Sequence, residues 1–175
     1  MAHRSSIVLV LALLATPCLV VVPGAPAAWA APAAQTPSAK ELKAAVDKYH
    51  AEVEAARKRH GVADIKRQYP LTGATGTLST GEEWISFEVA FKRPVTKAAA
   101  QAVATGLFQA FGQKTAIDFK KPNDVTRTRV LYAFLYEAKT VQLGPLEKGE
   151  GAGCSIELAL DAAGNVKAIT YVSGS

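Results

Sequence analysis

Residues 130–136, Val-Leu-Tyr-Ala-Phe-Leu-Tyr, constrain this chain more than any other stretch. In an extended backbone successive side chains alternate, so Val130, Tyr132, Phe134 and Tyr136 share one face and Leu131, Ala133 and Leu135 the other. Both faces are then apolar and both need cover. A strand of that kind belongs in the middle of a sheet, with an element or a partner chain packed on each side.

Other strands are legible around it. Ile85, Phe87, Val89 and Phe91 alternate with Trp84, Ser86, Glu88 and Ala90, the period-two pattern of a half-buried strand whose Phe-bearing face meets the core. Residues 154–160 and 166–172 flank the loop Asp161-Ala162-Ala163-Gly164-Asn165, and Gly164 and Asn165 tolerate positive φ, so this reads as a hairpin. Two helices are predicted as well. Ala99, Ala102, Val103, Gly106, Leu107, Ala110 and Phe111 form an apolar stripe at helical spacing, with Thr96 as N-cap and Gly112 as C-cap. Earlier in the chain, Ser38 and Glu41 make a capping box, Leu42, Ala45, Val46, Tyr49, Val53 and Ala56 form the stripe, and Gly61 ends the helix. The first helix is long enough to cross the sheet and supply the second cover. The predicted fold is therefore α+β, two helices covering a mostly antiparallel four-stranded sheet in the order α-β-α-β-β-β. No internal repeat is legible.

The first thirty residues stand apart. Arg4 supplies a positive start, Ile7 to Val22 an apolar run interrupted by Pro17, and Ala28-Trp29-Ala30 a cleavage site, so residues 1–30 read as a signal peptide cut after Ala30. The run is too short for the roughly twenty apolar residues that span a bilayer. Thr16 and Pro17 before Cys18 do not match lipoprotein processing. Residues 31–37, rich in Ala and Pro, read as a tether, and 38–175 as one domain large enough for its own core. The expected location is the periplasm or the medium outside a bacterial-type cell, with no transmembrane anchor after processing.

Removal of residues 1–30 takes away Arg4 and no acid, leaving 19 basic and 15 acidic residues and a net charge of +4. That mild excess is spread over several segments and carries no nucleic-acid-binding module. Its densest cluster is Arg57, Lys58, Arg59, Lys66 and Arg67, which reads as a solvated helix end or as a weak contact for anionic envelope surfaces. Residues 71–83 and 143–153 carry glycines among polar residues and read as solvated connections, with ligand-gating loops as the alternative. Neither has the Lys-Ser or Lys-Thr pair of a phosphate-binding loop.

Cys154 is the one cysteine beyond residue 30, so no intramolecular disulfide can form there. It reads as a packed core thiol, with an intermolecular disulfide or a thiol nucleophile served by His50 or His60 as alternatives. His50 and Glu54 stand one helical turn apart, but no third ligand completes a metal site, and no cofactor is expected. Adjacent Glu82 and Glu83 diverge from a strand start and imply no paired acid-base site. Trp84, opposite Phe87, is the strongest candidate for stacking on a sugar or a peptide. The functional expectation is a non-enzymatic binding module for an unidentified protein or small ligand of the cell envelope. The alternatives are a ligand carrier, its pocket lined by Tyr49, Tyr132 and Phe134 between sheet and first helix, and a small thiol enzyme using Cys154.

Overall fold

The structure, a computed structural model, describes residues 34–61, 64–81, 83–113, 116–126, 128–135 and 153–174. The order is α1 (Ala39–His60), β1 (Ile65–Leu71), β2 (Ala74–Thr80), β3 (Trp84–Val95), α2 (Lys97–Ala110), β4 (Asp124–Val125), β5 (Arg129–Leu135), β6 (Gly153–Leu160) and β7 (Val166–Gly174). The class is α+β with two helices, as the sequence predicts. The sheet, however, has seven antiparallel strands in the order β1-β2-β3-β7-β6-β5-β4, where four were expected.

Three strands account for the difference. β2 reads Ala-Thr-Gly-Thr-Leu-Ser-Thr, and its buried positions are Ala74, Gly76, Leu78 and Thr80. Only Leu78 is a large apolar residue, so the alternation is invisible to hydropathy. Gly76 is small for a reason: a Cβ there would stand 2.6 Å from Phe87 Cε2, so the Phe87 ring occupies the space a side chain would need. β1 hides because its inward row, Ile65, Arg67, Tyr69 and Leu71, contains an arginine. At its edge Pro70 and Lys66 discourage further strand pairing. β4 is two residues long, too short for any pattern.

Helix α1 begins as predicted. The Ser38 hydroxyl accepts from Glu41 N–H, the Glu41 carboxylate accepts from Ser38 N–H at 2.8 Å, and Gly61 closes the helix at φ +63. Glu41 reaches further, accepting also from Thr72 N–H and its hydroxyl at 2.7 Å, which ties the helix start to the β1–β2 turn. Thr96 caps α2.

Both helices lie on one face. α1 covers β1 and β2, α2 covers the middle of the sheet, and the helices meet where Gly106 lets Ala39 and Leu42 approach. Here the expectation of a second cover from α1 fails. Residues 130–135, within β5, are not the central strand but the sixth of seven, and the centre is the β3–β7 pair. The core includes Leu42, Val46, Tyr49, Leu78, Phe87, Val89, Leu107, Ile156, Leu158, Ile169 and Tyr171. Aromatic rings join α2 to the sheet: Phe111 stacks on Tyr171 at 4.3 Å between centroids and Phe108 packs on Phe134 at 4.8 Å.

A repeat does emerge in three dimensions. α1-β1-β2-β3 and α2-β5-β6-β7 each form a helix followed by a three-stranded antiparallel meander, and the two halves join at β3–β7 as if turned about an axis through that seam. In each half a leucine holds the middle strand opposite an inward residue of the last: Leu78 pairs with Phe87 and Leu158 with Ile169.

Candidate functional site

Both helices lie on one face, and among the described residues the other face of the sheet carries the side chains that alternate with the core. Strand register arranges them in rows. One row runs Lys66, Ser79, Ser86, Val172, Ser155, Ala133, and the next Gln68, Thr77, Glu88, Thr170, Glu157, Leu131, Asp124. Six of these thirteen are Ser, Thr or Ala and five are charged or amide residues, as suits an antiparallel sheet with one wet face, although Ala133 itself is buried. Carboxylates stand in the middle of it: Glu88 is exposed, and Glu157 is paired with Arg129.

Trp84 stands at the end of this face. It is 46 % exposed, one of three large hydrophobic residues open to solvent among the described residues, with Val125 and Val172. Its position is fixed by the backbone: Trp84 C=O accepts from Gly81 N–H at 2.9 Å and from the Thr80 hydroxyl at 3.0 Å. A side chain at Gly81 would collide with indole Nε1 and Cε2, so the indole lies across Gly81. On its other flank the register places Gly174, and beyond it Gly153. The indole thus stands beside a floor without side chains, a geometry in which a flat ring or an extended backbone can reach its edge and exposed face.

The other candidate residues lie elsewhere. Tyr49 is fully buried, and its hydroxyl donates to Ile65 C=O at 2.7 Å. Burial pushes its pKa up to about 12. Tyr132 stacks on Phe119 at 4.9 Å and donates to Phe119 C=O at 2.9 Å. Phe134 is buried against Phe108. Tyr49 is tied to β1 and Tyr132 belongs to β5, five strand spacings away, about 24 Å. The structure therefore does not bring these two tyrosines together, nor either of them to Trp84, which faces the opposite side of the sheet.

Cys154 is buried on the helix-facing side of β6, opposite Phe134. Burial pushes its thiol up to about 11, partly opposed by a hydrogen bond with Tyr171. At neutral pH it is a thiol and not a thiolate. His50 sits among rings, 6.3 Å from Tyr49 and 6.2 Å from Phe111 between centroids. Among the described residues no three His, Cys, Asp or Glu side chains gather to hold a metal, and no helix is long and apolar enough to cross a membrane. Glu82, Tyr136 and the glycine-rich stretch 143–152 lie outside the described residues.

Sequence reasoning singled out Trp84 but missed the surface around it. The signal was the alternation of Thr75, Thr77 and Ser79 on β2, which marks a polar face only once the intervening Gly76 is recognised as a buried position. Comparison with known protein families, with curated proteins and with solved structures returned no match.

Proposed function

We propose that this chain is an exported, non-enzymatic binding module of the cell envelope, and that its contact surface is the open face of the sheet with Trp84 at its end. The observation that carries this reading is the half-exposed indole, anchored by Gly81 and Thr80, on a sheet face that neither helix covers. A partially exposed Trp beside backbone and small polar side chains contributes large apolar contact area at low entropic cost. Serine and threonine hydroxyls in the neighbouring rows both donate and accept hydrogen bonds. Export rests on the signal-like first thirty residues.

A thiol enzyme fits the geometry less well, since the Cys154 thiol is buried and held protonated. The carrier reading loses its common lining, because Tyr49 and Tyr132 are far apart.

The test is affinity capture from envelope extract of the native host, using tagged protein with Trp84→Ala and Cys154→Ser alongside. A partner that is retained by Cys154→Ser and lost with Trp84→Ala supports the open face. Retention by Trp84→Ala, or an adduct that disappears only with Cys154→Ser, moves the contact elsewhere. A small molecule retained in native mass spectrometry would favour carriage instead.

A further inference from the structure

The β3–β7 seam ends in a bulge that gathers positive charge. Between the pairs Ala90–Ala168 and Val95–Val166, β3 has residues 91–94 where β7 has only Lys167. Lys92 and Arg93 therefore stand opposite Lys167, and Lys97 follows just beyond Val95 as the first residue of α2. All four are exposed, and none makes an ion pair among the described residues. Like charges set opposite one another across a strand pair repel. The carboxylates at this end do not cancel them. Asp161, in the β6–β7 loop, accepts from Ala163 N–H at 2.9 Å and Asn165 N–H at 2.8 Å, and Glu41 is bound to Ser38 and Thr72, with the exposed Lys40 next to it in sequence. Glu88 lies four residues up β3 from Lys92, about 13 Å, more than a Debye length at 0.1 M salt. At the β4–β5 corner Arg129 is matched by Glu157 and Asp124. The basic residues at the opposite end of the sheet are more closely tied. There Arg59 Nε is turned back onto Ala55 C=O at 3.1 Å, Arg57 stands beside Glu54, Arg67 is held by Glu52, and Asp64 is exposed among them.

The entry point of the chain selects the partner. Pro37 is buried, and the Gln35 backbone packs on Gly73, whose C=O accepts from Lys92 N–H at 2.9 Å. The chain therefore enters the fold beside Lys92. The apolar run Ile7 to Val22 ends twelve residues before Ala34. Twelve residues reach at most about 40 Å, so a bilayer that holds this run during export meets the bulge end of the fold first. We infer that this end, through Lys92, Arg93, Lys97 and Lys167, docks peripherally on the anionic lipid headgroups from which the chain emerges. The inference rests on the export reading and not on the open face. None of the three exposed large hydrophobic residues belongs to the cluster, so the binding is electrostatic. It also sets an orientation. Trp84 lies nine residues from Arg93 along β3, about 30 Å, and its end of the contact surface is held away from the membrane.

The test is co-sedimentation with vesicles of phosphatidylcholine alone or mixed with phosphatidylglycerol, using the chain from Ala33 onward, which contains the entire core cluster and Trp84 as its sole tryptophan. Each cation near such a surface contributes about a fivefold gain in partitioning. Lys97→Gln with Lys167→Gln is therefore expected to lower partitioning on the order of 25-fold, and Lys92→Gln alone about fivefold. Lys58→Gln with Lys66→Gln, the same loss of charge at the opposite end, should change it little, and so should Trp84→Ala. Brominated lipid should leave Trp84 fluorescence of the bound protein unquenched. Equal loss in the Lys58 and Lys66 pair, equal binding to neutral vesicles, quenching of Trp84, or retention on soluble polyphosphate without binding to vesicles would each overturn the inference. Fractionation of the native host tests export separately: a chain kept in the cytoplasm would overturn that reading and this docking with it, whatever the vesicles show.

Discussion

At the scale of single residues, two titratable groups report on the fold in opposite directions. Glu41 accepts from the Ser38 and Thr72 backbones and hydroxyls, and these bonds hold its carboxyl at about 2, well below its ordinary 4.5. A depressed carboxylate stabilises the fold above its unfolded pKa and ceases to do so as pH falls through the folded one. Stability should therefore decline between about pH 4.5 and pH 2, and Glu41→Gln should flatten that part of an acid-unfolding curve. At neutral pH, Ser38→Ala should cost about 1 kcal/mol in urea unfolding, the usual loss for an N-cap hydroxyl. Cys154 behaves in the reverse sense. Its thiol ionises near 9 in the unfolded chain and at about 11 when folded, so burial favours the protonated form and stability falls as pH rises above 9. Alkylation of native protein at neutral pH should be slow and should become fast in denaturant. Rapid native alkylation would show that the thiol is open and would reinstate the thiol chemistry that its burial argues against.

At the scale of elements, the Gly106 contact decides how closely the helices approach. A Cβ there would stand 3.2 Å from Ala39 Cα and Cβ, tighter than ordinary packing. Gly106→Val should therefore destabilise by about 1–3 kcal/mol through overpacking. Gly106→Ala sets a gain of about 1 kcal/mol in helix propensity against that crowding and should fall near zero. If Ala39→Gly relieves the crowding, the double mutant should exceed the sum of its parts, which thermal unfolding of the four proteins measures. The elements that sequence reveals are those whose amphipathic stripe or alternation is written in large apolar residues. α1 with its capping box, α2, β3 and the β6–β7 hairpin are of this kind. β2 was not, because its core positions include Gly76 and Thr80, one small to admit Phe87 and the other polar but bonded to Trp84 C=O. The rank of β5 misled for a related reason. Its second face carries Leu131 and Ala133, and Ala133 is buried there although neither helix packs on it, so two apolar faces called for cover without placing the strand at the centre of the sheet. The candidate site inherits the same limits. Trp84 was legible as an aromatic at a solvent-facing position, but the polar rows beside it depended on β2.

At the scale of the whole molecule, the fold is two helix-and-meander halves fused into one sheet, and cooperativity depends on the seam. Each half alone would expose the inner face of its last strand and leave its helix beside an empty partner position. The seam joins them by backbone pairing of β3 with β7, by the Ala39–Gly106 approach, and by rings that cross it. Phe111 of the second half lies 6.3 Å from Phe87 and His50 lies 6.2 Å from Phe111, both across the boundary between the halves. These contacts are distributed along the seam, which predicts that neither half has an independent transition. Urea unfolding followed by Trp84 fluorescence, which reports the first half in the chain from Ala33, should coincide with unfolding followed by far-ultraviolet dichroism. Val89 and Ile169 face each other at the middle of the seam and are fully buried. Ile169→Ala should cost about 2–5 kcal/mol, as deletion of a buried branched side chain does, and should lower both signals together. If the halves were separate folding units joined only by contact, Ile169→Ala would instead split the transition, with the dichroism change of the second half preceding the Trp84 change. The internal symmetry would then be a property of two modules, whereas a single shifted transition makes the seam the structural centre on which both the helix layer and the open face depend.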